Sequence, residues 1–226
     1  MPSINTNYGA AVALQSLNKT SQQLDTTQNR ISTGMKVSSA KDNGAIFAIA
    51  TSQRANAASQ DAVRAGLQRT QSITDVALAA GDSVTSALEE MKSLAVNIAS
   101  STGSAQTAYL ADYNALGLEV ASAISGATFD GVNSLTALGS NAAITAVNTG
   151  SITAANATTA NVDAAIAATT SALATLGTQS KSLGRQITFV NKLQDALEAG
   201  VGNLVDADLA KESAKLTALQ TKQQLG

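Results

Sequence analysis

The sequence predicts a mainly α-helical fold, an elongated antiparallel helical bundle or coiled-coil rod with a small β-hairpin and loop tip. Apolar residues recur at three- and four-residue intervals through most of the 226 positions. Aromatic residues make up only 3% of the chain, which favours narrow seams between long helices over a thick core. Residues 126–161 break the helical pattern, because they consist mostly of Gly, Ala, Thr, Asn and Ser.

The first helix is expected over residues 11–31. Its thin apolar seam consists of Leu14, Leu17, Leu24 and Ile31. The last three recur every seven positions, which is typical of a helix that packs along a partner, while polar Ser21 and Gln28 occupy the alternate core positions. Gly34 is predicted to end this helix in the left-handed conformation.

Two further helices are expected before the middle of the chain. A short irregular connection at residues 37–44 leads to a helix over residues 45–100, whose seam consists of Ile73, Ala77, Ala80, Val84, Leu88, Met91, Ala95 and Ile98. A break at residues 101–104 precedes a helix over residues 107–125, whose seam consists of Leu110, Tyr113, Leu116, Val120 and Ile124. Residues 126–161 follow as short strands and turns, with a turn at Asp130 and Gly131.

The last segment, residues 162–226, restores a strong helical seam. Apolar residues fall seven apart at Leu176, Leu183, Val190, Leu197 and Leu204, and a stutter precedes Leu209 and Leu216. The two ends of the chain therefore carry complementary seams, so we expect the first helix to pair antiparallel with the segment beyond Leu204. Packing of the central rod is expected to rest on Val84, Leu88, Met91, Leu183, Val190 and Leu197.

The composition argues against catalysis and against several kinds of partner. The chain has no His and no Cys, so the usual general base and thiolate chemistry are absent. A net charge of −2 and the lack of a long apolar run predict neither nucleic-acid binding nor membrane insertion. Ser38 and Lys41 have the Ser-x-x-Lys spacing of acyl-transfer enzymes but lack its companion motifs. We therefore expect no enzyme, no cofactor and no metal site.

One cluster of charges near the C-terminus is better explained as surface. Asp206, Asp208 and Glu212 could suggest a metal site, but on a helix the two aspartates point apart. Opposite charges three residues after Asp208 and Glu212, at Lys211 and Lys215, predict a solvated or partner-facing charge ladder instead. Spacing alone leaves two alternatives open for the polar-interrupted seams: helices that become ordered on assembly, or a monomeric bundle that buries them internally.

Four stretches of the sequence form a recognisable signature. They are Ile4-Asn5-Thr6-Asn7, the run from Arg30 to Ala45 (RISTGMKVSSAKDNGA), Thr128-Phe129-Asp130-Gly131-Val132, and Val205 to Glu212 (VDADLAKE) with the final QQLG. In these stretches the chain resembles bacterial flagellins. The resemblance covers most of the chain outside residues 133–161, and the sequence of these stretches is most similar to that of the short flagellins of alphaproteobacteria. Such flagellins are structural subunits of the motility filament.

The resemblance implies a layered assignment of the chain. Residues 1–44 would form the N-terminal inner-tube helix and connector, residues 45–125 and 162–204 the rod, and residues 126–161 a surface-exposed tip. Residues 205–226 would be the start of a C-terminal inner-tube helix that the family extends further. The inner-tube assembly residues would then be Leu14, Leu17, Leu24, Ile31, Leu209 and Leu216.

The resemblance also implies partners and a location. Flagellins polymerise with copies of themselves, leave the cell unfolded through the flagellar type III system and meet an export chaperone and a filament cap, so the expected location is the extracellular filament. Glu89, Glu90 and Leu94 match a stretch that innate-immune receptors recognise in some flagellins, where a basic residue usually stands at Glu90. The alternatives are a hook-filament junction protein and, in another class, a secreted ligand-binding or enzymatic module in the central segment.

Overall fold

The computed structural model describes residues 7–225, and it confirms a mainly α-helical fold with a small hairpin. The chain runs through α1 (Tyr8–Thr33), α2 (Gly44–Ser100), α3 (Gly103–Gly126), β1 (Thr128–Phe129), β2 (Val132–Asn133), α4 (Thr136–Gly139), α5 (Ala142–Thr145), α6 (Thr159–Val205) and α7 (Leu209–Leu225). Residues Ile4, Asn5 and Thr6, which contribute to the flagellin resemblance, lie outside the described residues.

Side-chain and glycine caps set the ends of the first helix. The Asn7 side chain accepts a hydrogen bond from the Ala10 amide at 3.2 Å, so α1 begins three residues earlier than the seam predicts. Gly34 adopts a left-handed φ of 70° and ends the helix as predicted. At the next helix start, the Asn43 side chain accepts from the Ile46 amide at 3.1 Å.

The chain divides into two compact units. The terminal unit holds the described residues up to Ala62 and those from Asn191 onward, and it includes α1 and α7. The central unit holds residues 63–190, including α3, the hairpin, α4 and α5. The helices α2 and α6 contribute residues to both units.

The central unit has an apolar core built from α2, α3 and α6. Its largest fully buried side chains include Val84, Leu88, Met91, Ile98, Tyr113, Val120 and Val162. The Leu173 side chain of α6 lies against Gly81 of α2, where an added side-chain carbon would meet its methyl groups. The missing glycine side chain therefore makes room for this leucine between the two helices.

The segment over residues 126–161 is less β-rich than predicted. Only the hairpin is extended, with Thr128 opposite Asn133 and with Asp130 and Gly131 at φ values of 50° and 75° in its turn. The remainder forms one-turn helices and loops, because Asn side chains cap the local backbone and the sequence between them is rich in Ala. Its apolar residues Leu135, Leu138, Ile144 and Val147 join the core instead of facing outward.

The stutter before Leu209 is an interruption of the helix. Residues 206–208 are non-helical, and α7 begins again at Leu209. Asp208 caps this new start, because its carboxylate accepts a hydrogen bond from the Lys211 amide at 3.1 Å. The break lets the chain turn from α6 into a separate helix.

Candidate subunit interface

Helices α1 and α7 pack against each other in an antiparallel pair. At one end of the pair, Arg30 and Glu212 form an ion pair at 3.1 Å. Toward the other end, a shallow groove of about 450 Å³ is lined by Ala13, Ser16, Leu17, Thr20, Ala218, Thr221 and Lys222. The expected antiparallel association of the two chain ends is therefore present within a single chain.

Threonines, rather than the polar residues that the sequence suggested, occupy the centre of this pair. Thr20 is 3% exposed and Thr27 is fully buried, whereas Gln28 is exposed and Ser21 is half-buried. The prediction that Ser21 and Gln28 hold the alternate core positions is therefore wrong by one residue. Thr20 can be buried because its hydroxyl donates to the Ser16 carbonyl at 2.9 Å within the same helix.

One sequence signal could have located these threonines. Thr20 and Thr27 are seven residues apart, and together with Leu17, Leu24 and Ile31 they form an unbroken series of three- and four-residue steps. The buried Leu219 of α7 was likewise not identified from the sequence, although it lies three residues after Leu216. Threonine is mostly a surface residue, so a pattern built from apolar residues alone does not include it.

The leucines expected to drive assembly remain largely accessible in the single chain. Leu14 is 60% exposed, Leu17 is 39% exposed and Leu209 is 48% exposed. Leu24, Ile31 and Leu216 are half-buried. Tyr8 and Val12 add further exposed apolar surface to α1. The pairing of α1 with α7 thus leaves a row of apolar side chains without cover among the described residues.

Main-chain hydrogen bonds also join the segment that follows α1 to the segment that precedes α7. The Lys36 amide donates to the Val205 carbonyl at 2.6 Å, and the Ala207 amide donates to the Gly34 carbonyl at 2.9 Å. Val37, Ala50, Val201 and Val205 form a small buried cluster beneath them. The structure therefore brings the Arg30–Ala45 run and the Val205–Glu212 run side by side.

Most charges of the predicted C-terminal ladder are exposed, namely Asp206, Asp208, Lys211 and Lys215, but Glu212 departs from the prediction. Glu212 pairs with Arg30 across 182 residues of sequence, with side-chain exposures of 13% and 31% respectively. The second oxygen of Glu212 and the Thr27 hydroxyl are buried and have no hydrogen-bond partner among the described residues. Sequence spacing predicts that Glu212 pairs with Lys215, because spacing along a helix identifies only neighbours three or four residues away.

The residues assigned to rod packing fall into separate groups. Val84, Leu88 and Met91 are fully buried in the central core. Leu183 is half-buried in a shallow groove with Thr70 and Thr74, and Val190 is 6% exposed. Leu197 is half-buried and belongs to the terminal unit. The antiparallel packing of α2 on α6 explains why these residues fall into separate groups. Lys92, next to Met91 on α2, pairs with Asp163 of α6 at 2.6 Å, and Asp163 lies far along α6 from Leu183.

The remaining candidate residues lie on the surface or in a capped loop. Glu89 and Glu90 are exposed, and Leu94 is half-buried against the core. Ser38 donates its amide and hydroxyl to the Asp42 carboxylate at 3.1 and 3.0 Å, and Ser39 does the same. These hydrogen bonds lower the pKa of the Asp42 carboxyl, and the bond from the Ser38 hydroxyl makes the largest contribution. Ser38 is thus part of a turn that precedes α2.

Within residues 7–225, no group of three or more acidic, His or Cys side chains is placed to hold a metal ion. None of the helices in the described part of the chain is long and apolar enough to cross a membrane.

Comparison with known proteins gives matches along nearly the whole chain. Residues 4–138 match the bacterial flagellin N-terminal helical region, and residues 159–226 match the C-terminal helical region. Flagellin FljK of Caulobacter vibrioides is 48% identical over 99% of this chain and 92% of its own length. A flagellin of Brucella melitensis is 33% identical over 100% of this chain and 93% of its own, and flagellin C of Rhizobium meliloti is 30% identical over 100% and 94%. The chain belongs to the bacterial flagellin family.

Proposed function

We propose that this chain is a structural subunit of the bacterial flagellar filament and polymerises with copies of itself outside the cell. The observation that carries the proposal is the α1–α7 pair, which brings the two family-matching ends together and leaves Leu14, Leu17 and Leu209 exposed. Exposed apolar rows on paired helices are the kind of surface that further helices cover on assembly.

Family membership supports the finer assignment. Residues 1–44 and 205–226 form the inner tube, with Leu14, Leu17, Leu24, Ile31, Leu209 and Leu216 as the assembly residues. Residues 45–125 and 162–204 form the next layer. Part of residues 126–161 is exposed, including Phe129 and Val132 of the hairpin.

Export and assembly partners follow from the same membership. The subunit passes unfolded through the flagellar type III system, bound by an export chaperone beforehand and placed beneath a filament cap afterward. The absence of Cys suits passage of an unfolded chain, because no disulfide forms on the way. The role is structural and not enzymatic, and the reversed charge at Glu90 weakens recognition by innate-immune receptors.

Growth of filaments on seeds tests the proposal. Purified chain is mixed with short filament fragments, and elongation is followed by electron microscopy. Leu14→Ser is expected to raise the critical concentration about tenfold, because burial of a leucine contributes about 1.5 kcal/mol or more. Gln15→Ser, an adjacent exposed polar change, serves as the matched control. A wild-type chain that stays monomeric on active seeds contradicts the proposal.

A further inference from the structure

Three exposed residues of α6 form a stripe without a partner in the central unit. Lys181, Arg185 and Phe189 follow one another at four-residue intervals, so they lie along one side of the helix. Phe189 is 64% exposed, and neither cation forms an ion pair with the described residues. A large exposed aromatic beside two free cations marks a contact surface.

Most of the central unit carries the opposite charge to this stripe. Residues 70–180 contain eight acidic residues and one basic residue, Lys92. All eight acids are exposed: Asp75, Asp82, Glu89, Glu90, Asp112, Glu119, Asp130 and Asp163. Lys92 is already paired with Asp163. Asp130 is likewise paired with Arg69. The cationic stripe and this acidic surface belong to the same unit, so a second copy offers each of them a complementary face.

Leu118 marks the part of that acidic surface that fits Phe189. It is 54% exposed on α3 and lies next to Glu119 in sequence. Asp112 and Glu119, two turns apart, lie along one side of this helix, and α3 contains no Lys or Arg. Val96, at 53% exposure, lies one turn from Lys92, so its surroundings suit a cationic partner less well. The Asp112–Leu118–Glu119 patch supplies one apolar and two acidic side chains for one aromatic and two cations.

The two surfaces are too far apart to meet within one chain. Leu183 lies beside Thr70, so the stripe is level with about residue 70 of α2. The Gln106 side chain donates to the Ile98 carbonyl, so Leu118 is level with about residue 86. Sixteen or so helical residues separate these levels, about 25 Å. Two parallel copies that bind through these two surfaces are therefore displaced from each other along the helix axis by about this distance.

We propose that the Lys181–Arg185–Phe189 stripe of one copy packs on the Asp112–Leu118–Glu119 patch of another. This rests on the proposed polymerisation and identifies one of its contacts. Because the two surfaces differ, the contact is heterologous, and it repeats without closing when the rotation between copies does not form a ring. That is the geometry an open filament requires.

Charge reversal and its rescue test the contact. Arg185→Glu and Glu119→Arg are each expected to raise the critical concentration for seeded growth at least about tenfold, and the double variant is expected to recover most of the loss. Asp82→Arg makes the same charge change on α2 and is expected not to rescue Arg185→Glu. All three positions are exposed, so far-ultraviolet melts of the monomers are expected to match wild type.

Cysteine pairing gives an independent readout, since the chain contains no Cys. A mixture of Phe189→Cys and Leu118→Cys chains is expected to form interchain disulfides in filaments but not in monomers. If wild type elongates while Arg185→Glu grows normally, or while Asp82→Arg rescues as well as Glu119→Arg, the contact is overturned and the proposed function stands. If wild type fails to elongate on active seeds, both fall.

Discussion

Two helical glycines of the central unit differ in how closely the rest of the chain approaches them. At Gly117 of α3, an added side-chain carbon would lie 2.5 Å from the Val147 carbonyl oxygen. At Gly66 of α2, the same carbon would meet nothing within 4 Å. The two helical glycines therefore serve opposite purposes, since one admits a loop and the other only weakens its helix.

We expect Gly117→Ala to destabilise the protein by about 2 kcal/mol, because the loop at Val147 must move to relieve the clash. Gly66→Ala is the matched control and is expected to stabilise by about 0.5–1 kcal/mol through helix propensity. Denaturant unfolding followed by circular dichroism measures both. Equal effects of the two substitutions would show that the loop does not pack on α3 as described.

Tyr113 is the clearest case of a buried polar group in the central core. Its side chain is fully buried, and its hydroxyl has no hydrogen-bond partner among the described residues. Burial raises the pKa of Tyr113 to about 12, from an ordinary value of 10. The folded state therefore favours the protonated form, and stability that is complete below pH 10 is lost as the pH rises toward 12.

Tyr113→Phe is expected to be neutral or to stabilise by up to about 1 kcal/mol at pH 7, because it removes an unpaired hydroxyl. It is also expected to lessen the fall in stability between pH 10 and 12. Thermal melts of both proteins at pH 8 and pH 11 measure this. A loss of more than about 1 kcal/mol at neutral pH would instead reveal a hydrogen bond to this hydroxyl.

Among the helices, the pairing of α1 with α7 depends on few specific contacts. Its ion pair joins Arg30 to Glu212, whose second carboxylate oxygen is already unpaired. Removal of the arginine leaves a mostly buried carboxylate without its cation, which costs more than removal of both partners. The pair therefore fixes the register of α1 on α7.

Arg30→Ala is expected to destabilise the terminal unit by about 1–3 kcal/mol, and Arg30→Ala with Glu212→Ala by less than the sum of the two single changes. Unfolding of the four proteins of this double-mutant cycle gives the coupling energy. Lys19→Ala, at an exposed position of α1, is a control for loss of a cation. Strictly additive losses would mean that the two side chains do not interact in solution.

Local sequence signals predicted the helices well, because apolar periodicity and helix ends depend on residues close together in the sequence. The seven-residue seams and Gly34 fixed the principal helices to within a few residues, and the Asp130-Gly131 pair predicted the hairpin turn. Contacts distant in sequence escaped prediction. The Arg30–Glu212 pair is one example, and the burial of Thr20 in the α1–α7 pair is another. The one-turn helices after Asn133 depended on side-chain caps that composition does not show.

For the chain as a whole, charge and apolar exposure are distributed unevenly between its parts. The terminal unit leaves apolar side chains of α1 and α7 uncovered, whereas the acids of residues 70–180 and the α6 stripe lie in the central unit. The exposed leucines of α1 and α7 and the α6 stripe lack a partner among the described residues of one copy. Polymerisation supplies the missing partners, with helix pairing at the chain ends and charge complementarity in the central unit.

Hydrogen exchange in the soluble chain and in filaments tests this account most directly. Amides of α1 and α7 are expected to exchange at least about tenfold more slowly in filaments, because assembly covers the exposed leucines and suppresses opening of the pair. Amides of α3 around Tyr113 and Val120, already in a buried core, provide the internal reference and are expected to change far less. Equal exchange of α1 and α7 in the two states would contradict the claim that these helices form the assembly interface.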